Sequence, residues 1–281
     1  MKKRYPLLLS AALVGGVWVS PAAAQEIADN AVVRTAPGAV VARVLSSDSL
    51  GAGRIVEVFG DLATARHVAV LVPGVSWTGP LIADETAATR RHPAVQARAL
   101  LARMQQDDPA HGSAVVVWLD YDPPQDLGVA AARSDRAVAG APRLARFVAT
   151  LPRTAGVTLV CHSYGSVVCG HAAPDLHRVS DIVAIGSPGM DVEHRADLGT
   201  TARVWAGRAE GDPIGLVPYT RFGDLGHGAD PTAPAFGALP LPVDGAYGHN
   251  DYLAPGTASL AAMARIAVGQ PGVVAGSASG A

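Results

Sequence analysis

Short β-branched runs alternate along this chain with longer stretches of helical spacing. The run 67–72 is apolar throughout, which predicts a strand buried on both faces of a sheet. Further strands are predicted at 54–59, 114–119, 156–162, 180–185, 202–206 and 237–243, and helices at 84–106 (interrupted near Pro93), 127–151 (split at Ala141–Pro142) and 259–268. Strands that alternate with helices indicate an α/β protein with a mostly parallel sheet covered on both faces. In such a sheet the functional residues lie beyond the carboxyl ends of the strands.

The two ends of the chain lack this alternation. Basic residues 2–4, an apolar stretch at 5–19 and a run of small residues predict a signal peptide over residues 1–24, cleaved after Ala24. The apolar stretch is shorter than the roughly 20 residues that span a bilayer, and no later stretch is long enough. We therefore expect a secreted protein with no stable membrane span. Residues 25–53 are predicted to form an extended surface arm, 54–269 one domain, and 270–281 a disordered tail.

Composition excludes several mechanisms. The chain has two lysines, Lys2 and Lys3, and both lie in the predicted signal peptide. Mechanisms that need a catalytic lysine, a Schiff base or a lysine-containing phosphate loop are therefore excluded for the mature protein. Loss of the three basic residues at 2–4 would change the formal net charge from −2 to −5, which does not favour nucleic acid or anionic membranes as partners. No Cys/His spacing resembles a structural zinc site.

A serine stands at the point where one apolar run stops and helical spacing begins. Ser163 follows the predicted strand 156–162, and Cys161 and Gly165 are the small residues two positions before and after it. Strand, sharp turn and helix around such a serine form a nucleophile elbow, in which strained backbone projects the hydroxyl. The alternative is a buried strand followed by an ordinary Ser-capped helix.

A serine nucleophile needs a histidine to accept its proton and a carboxylate to orient that histidine. His249 follows the last predicted strand and is the predicted base, whereas the rival His227 precedes that strand. Asp212 follows the strand 202–206 and is the predicted acid, with Glu210 as its nearest competitor.

Backbone amides are the expected donors to the developing oxyanion. The fold would offer the amide of Tyr164, directly after the nucleophile, and that of Val75 in the loop after the strand 67–72, since Pro73 has no N–H. Trp77 and Tyr121 are candidates for the pocket lining. This mechanism requires no cofactor and no metal.

Several short motifs together resemble a family of α/β-hydrolase-like proteins common in actinobacteria. They are Val70–Gly74, Trp118–Asp122, His162–Ser166, Gly186–Gly189, Gly211–Pro213, His227–Gly237 and Gly248–His249. The resemblance covers roughly residues 54–268 and implies an α/β-hydrolase fold with Ser163, Asp212 and His249 in the order typical of such enzymes. The chain has Cys161 where the family usually has glycine.

These observations predict a secreted serine hydrolase that forms an acyl-enzyme, with small-molecule or lipid-like carboxylic esters as substrates. A peptidase and a cell-envelope acyltransferase would use the same chemistry. A non-catalytic binding protein that retains the fold is the alternative from another class.

The cysteines Cys161 and Cys169 could form a disulfide in an exported protein. Close packing of strand and helix through Gly165 would bring their Cα atoms within the roughly 7 Å that a bridge allows, whereas the ordinary strand-to-helix spacing of about 10 Å would not. We expect two free, buried thiols.

Overall fold

The computed structural model describes residues 33–34, 42–47, 53–85, 89–272 and 274. The predicted signal peptide lies outside the described residues, as does most of the predicted tail after residue 272. None of the helices in the described part of the chain has the length and apolar character needed to cross a membrane.

A nine-stranded sheet forms the centre of the described part of the chain, in the order β1-β2-β3-β5-β4-β6-β7-β9-β11. The strands are β1 (Val33–Arg34), β2 (Ala42–Ser47), β3 (Ile55–Gly60), β4 (His67–Val72), β5 (Ser113–Leu119), β6 (Gly156–His162), β7 (Val179–Ile185), β8 (Gly189–Val192), β9 (Arg203–Gly207), β10 (His227–Gly228) and β11 (Leu239–Pro240). The helices are α1 (Gly79–Ala83), α2 (Pro93–Asp107), α3 (Asp135–Thr150), α4 (Gly165–Ala172) and α5 (Ala258–Ala267). Strands β8 and β10 pair separately.

Neighbouring strands from β5 to β11 in this order are parallel, and β1, β2 and β3 are joined by antiparallel pairing to each other and to β5. The chain moves one way in the sheet from β4 to β5 and the other way from β5 to β6. Right-handed crossovers therefore place α2 and α3 on opposite faces. Helix α5 packs on α2 and α4 packs on α3. The structure confirms the expected α/β-hydrolase architecture and a sheet that is mostly parallel.

Some predicted element boundaries are wrong. Helix α2 begins at Pro93 instead of near residue 84, because the His92 side chain accepts a hydrogen bond from the Ala94 amide and proline suits the first helical turn. Pro142 lies inside α3 without splitting it. The predicted strand 237–243 is reduced to β11, and the predicted arm contributes β1 and β2 to the sheet edge.

The expectation of free cysteines is wrong. Cys161 and Cys169 form a disulfide with their Cα atoms 6.5 Å apart, and both residues are fully buried. The helix lies unusually close to the sheet, since a Cβ added at Gly165 would be 2.2 Å from the Val72 carbonyl oxygen. Glycine at the start of α4 therefore brings the two Cα atoms within bridging distance.

Candidate active site

Ser163 occupies the tight turn between β6 and α4. Its φ is +56°, a left-handed conformation that is uncommon for a residue other than glycine. The Ser163 amide donates to the Ile185 carbonyl over 3.0 Å, and its carbonyl accepts from the amide and hydroxyl of Ser166 at 2.9 and 2.7 Å. These bonds hold the strained turn in place, as the elbow prediction requires.

The loop after β4 lies directly against this turn. A Cβ added at Gly74 would be 2.7 Å from the Ser163 Cβ and 2.9 Å from the Tyr164 amide nitrogen. The buried Tyr121 hydroxyl donates a hydrogen bond to the Pro73 carbonyl over 2.7 Å, which fixes this loop against the core. Among the described residues, no acceptor bonds the amides of Val75 and Tyr164, which leaves both donors available beside Ser163.

Asp212 and His249 come together from separate loops. His249 Nδ1 lies 2.9 and 3.0 Å from the two carboxylate oxygens of Asp212. Asp212 ends the loop after β9, and the Gly248 amide donates to the Glu210 carbonyl over 2.8 Å, so the acid and histidine loops are joined by backbone. Glu210 itself is exposed, and among the described residues the carboxylate that pairs with His249 is that of Asp212.

Two further donors hold the Asp212 carboxylate. Tyr252 donates from its hydroxyl over 2.5 Å, and the Ile214 amide donates over 2.8 Å. Burial alone would raise the pKa of Asp212, but its hydrogen bonds to His249, Tyr252 and Ile214 outweigh that effect and lower it. The carboxylate therefore stays charged at neutral pH. Tyr252 has no motif around it, and the sequence analysis missed it.

His162, the residue before Ser163, packs against His249. Its Nε2 donates to the backbone carbonyl of His249 over 2.7 Å, and the two rings lie 4.7 Å apart. Burial is the main reason that the pKa of His162 falls to about 3, and the neighbouring His249 lowers it further. A neutral His162 therefore carries its proton on Nε2.

Ser163 and His249 line the same cavity, but the structure shows no direct hydrogen bond between their side chains. The cavity has a volume of about 430 Å³, and its lining is mostly apolar. Its apolar lining is Val75, Leu127, Ala131, Ala132, Pro188, Pro213, Ile214, Val217, Pro218, Phe222 and Leu225. Neither Trp77 nor Tyr121 is among the lining residues, so that expectation is wrong: Tyr121 is buried and stacks on Trp118 and Tyr164.

His227, the rival base, also lines this cavity but has other partners. Its Nδ1 lies 3.0 Å from the Asp191 carboxylate, and its Nε2 lies 2.8 Å from the Ala131 carbonyl. Asp191 also accepts from His171 over 2.7 Å. With an acceptor at each ring nitrogen, His227 is engaged in holding the cavity wall.

A group that could bind a metal lies at the opposite end of the sheet. His67 at the start of β4 and His111 both contact Asp108, and the potential ligand atoms of the three lie within 4.8 Å of one another. The hydrogen bond from His111, followed by that from His67, lowers the pKa of Asp108. Each histidine is satisfied by Asp108, and this group does not contact Ser163.

In sequence, the chain is similar to uncharacterized mycobacterial proteins. The chain is 30% identical over 264 residues to an uncharacterized protein of Mycobacterium tuberculosis, covering 78% of this chain and 37% of the relative. An uncharacterized protein of Mycobacterium bovis is 33% identical over 151 residues, covering 50% of this chain and 54% of the relative. The chain therefore spans little more than a third of the length of the first relative and about half of the second.

The solved structures that the chain resembles are distant from it in sequence. A serine hydrolase without lid from Xanthomonas campestris has a TM-score of 0.40 at 16% identity, covering 63% of this chain and 74% of that one. The esterase domain of a Rhodothermus marinus protein has a TM-score of 0.43 at 11% identity, covering 81% and 96%. The model of a family described as alpha/beta hydrolase matches residues 48–221, which is more than half of the chain. This chain belongs to the alpha/beta hydrolase family.

Proposed function

We propose that the protein is a serine hydrolase that cleaves carboxylic esters through an acyl-enzyme, with Ser163 as nucleophile, His249 as base and Asp212 as its orienting acid. The observation that carries the proposal is the placement of a strained Ser163 and an Asp212-bound His249 on one cavity. A binding protein would have no evident need for a strained serine beside a buried carboxylate–histidine pair.

In the proposed reaction, His249 keeps its Nδ1 proton toward Asp212, which leaves Nε2 to accept the proton of Ser163. The Ser163 oxygen attacks the ester carbonyl carbon, and the carbonyl oxygen becomes an oxyanion. The amides of Tyr164 and Val75 are the proposed donors to it. His249 then protonates the departing alkoxide, and the alcohol leaves an acyl group on Ser163. A water deprotonated by His249 hydrolyses that acyl-enzyme.

The lining of the cavity favours esters with an apolar acyl group. Its polar contributions come from Ser163, Tyr164, Thr220, His227 and His249, and it has no acidic or lysine side chain to bind a charged peptide. This favours ester over peptide hydrolysis. We also propose that the protein is secreted, on the signal-peptide pattern at residues 1–24.

Hydrolysis of p-nitrophenyl butyrate tests the proposed function. Ser163→Ala, Asp212→Ala and His249→Ala should each remove most of the activity, by about a thousandfold or more for the serine and histidine. Ser180→Ala, at an exposed serine at the start of β7, should retain wild-type activity.

The three substitutions should also be strongly non-additive, because losing one member already removes most of what the triad supplies. A triple variant no slower than Ser163→Ala supports the proposed grouping. Additive losses, or a fully active Ser163→Ala protein, would refute it.

A further inference from the structure

Large apolar side chains are exposed on the two segments of the chain that line one side of the cavity. Leu127 is 85% exposed, Val129 69%, Leu216 87% and Phe222 86%, with Leu225 also exposed. We call these five residues the apolar rim. They come from two segments, 126–134 and 213–227: Leu127, Phe222 and Leu225 line the cavity that contains Ser163, and Val129 and Leu216 lie within two residues of other lining residues. Outside the rim, the exposed large apolar side chains in the described part of the chain are Leu81, Val138, Leu239 and Tyr247, at 38–67% exposure.

The two segments are joined to each other, so the rim has a defined shape. The Gly226 amide donates to the Ala132 carbonyl over 2.8 Å, and His227 bonds to the Ala131 carbonyl. Arg133 forms an ion pair with Asp224 across the same junction. These contacts support an open, preformed mouth that needs no rearrangement before substrate enters.

The charges beside the rim are balanced. Arg133 contacts both Asp135 and Asp224, and Arg221 lies 3.6 Å from Asp191. The chain has no lysine after residue 3. The rim thus has no unpaired basic cluster of the kind that binds anionic lipid surfaces. An exposed apolar patch with balanced charges fits an uncharged, water-insoluble partner.

We propose that the apolar rim adsorbs to aggregated, uncharged acyl esters, such as emulsified acylglycerols, and delivers one acyl chain into the cavity beside Ser163. This inference rests on the proposed function for its catalytic step. Adsorption itself does not require catalysis, because burial of the rim against apolar substrate supplies the driving force.

The test uses rim residues that do not line the cavity, Val129 and Leu216. For wild type, the rate of tributyrin hydrolysis divided by tributyrin concentration should be at least fivefold higher above the solubility limit of tributyrin than below it. Val129→Ser/Leu216→Ser should lose most of that increase and keep activity on soluble p-nitrophenyl acetate within about twofold. The matched control is Leu81→Ser/Leu239→Ser, two exposed leucines outside the rim, which should behave as wild type.

Flotation separates adsorption from catalysis. Ser163→Ala protein should float with triolein droplets stabilised by gum arabic, and the same protein with Val129→Ser/Leu216→Ser should not. Equal flotation of both proteins, or adsorption that requires phosphatidylglycerol in phosphatidylcholine vesicles, would overturn the inference. Inactivity of the wild type on every soluble ester would instead refute the proposed function, whatever the flotation result.

Discussion

His162, the residue directly before Ser163, donates a hydrogen bond from Nε2 to the backbone carbonyl of His249 over 2.7 Å. The end of β6 is thereby linked to the loop that carries the proposed base. This part-buried hydrogen bond joins two residues that are 87 positions apart in the chain, and it uses the backbone of His249 and not its catalytic ring.

The buried His162 should make the protein less stable in acid. Its pKa is about 3 in the folded protein and about 6.5 in an unfolded chain, so the proton binds on unfolding. Its contribution to stability is complete above about pH 6.5 and is lost as the pH falls toward 3, by up to about 1.4 kcal/mol per pH unit. The unfolding free energy, measured in urea between pH 6.5 and 4.5, should fall accordingly.

His162→Gln keeps a hydrogen-bond donor near His249 but cannot titrate. The slope of its unfolding free energy against pH should therefore be smaller than that of wild type by the equivalent of about one proton. His177→Gln, at an exposed histidine, is the control and should leave the slope unchanged. Identical slopes for wild type and His162→Gln would show that His162 is protonated in the folded protein.

The two histidines on the cavity should respond very differently to replacement by glutamine. His249→Gln should lower kcat/KM on p-nitrophenyl butyrate by about a thousandfold, because it removes the proposed base. His227→Gln should stay within about tenfold of wild type, since both ring nitrogens of His227 already have partners. The opposite ranking would identify His227 as the base.

The chemistry of the site was more predictable from the sequence than its surroundings. Ser163 is marked by an apolar strand, small neighbours and a resumed helical pattern, and Asp212 and His249 each follow a predicted strand. Local pattern and chain order suffice to propose these three as a triad, and the structure places Asp212 beside His249. Tyr252 and the partners of His227 depend on contacts between distant segments, and no local pattern identifies them.

Contacts between distant segments decided the features that the sequence predicted wrongly or left open. The cysteine pair depends on how near Gly165 lets α4 approach β4, a distance that the sequence motif leaves open. The segment 213–227 has little regular structure, so periodicity could not place its apolar side chains around the cavity. Strands β1 and β2 join the sheet edge through backbone pairing, and their weak hydrophobic pattern did not predict it.

Gly74→Ala should damage catalysis with little effect on the rest of the fold. The new Cβ would lie 2.7 Å from the Ser163 Cβ, so the loop or the elbow must shift. We expect kcat to fall by about a hundredfold or more, as when an oxyanion donor is lost. Gly156→Ala is the control, because its Cβ would meet only the Arg66 carbonyl, at 3.9 Å. Wild-type kcat in Gly74→Ala would exclude this loop from the oxyanion site.

The Cys161–Cys169 bridge should stabilise the oxidised protein. It closes a short loop, for which chain entropy gives about 2–3 kcal/mol. Cys161→Ala/Cys169→Ala should unfold at a lower urea concentration than the oxidised wild type. Adding a reductant should bring the urea midpoint of wild type closer to that of the variant. Iodoacetamide should add no groups to the denatured, unreduced chain and two after reduction. Two groups without reductant would mean that the thiols are free.

The central claim is that Ser163 is the nucleophile, and mapping a covalent inhibitor tests it most directly. Protein treated with a fluorophosphonate and digested for mass spectrometry should have one adduct, on Ser163, and His249→Ala should label far more slowly. The buried Ser166 and Ser187 should remain unmodified. An adduct on either of those serines, or folded wild-type protein that stays unlabelled, would contradict the account.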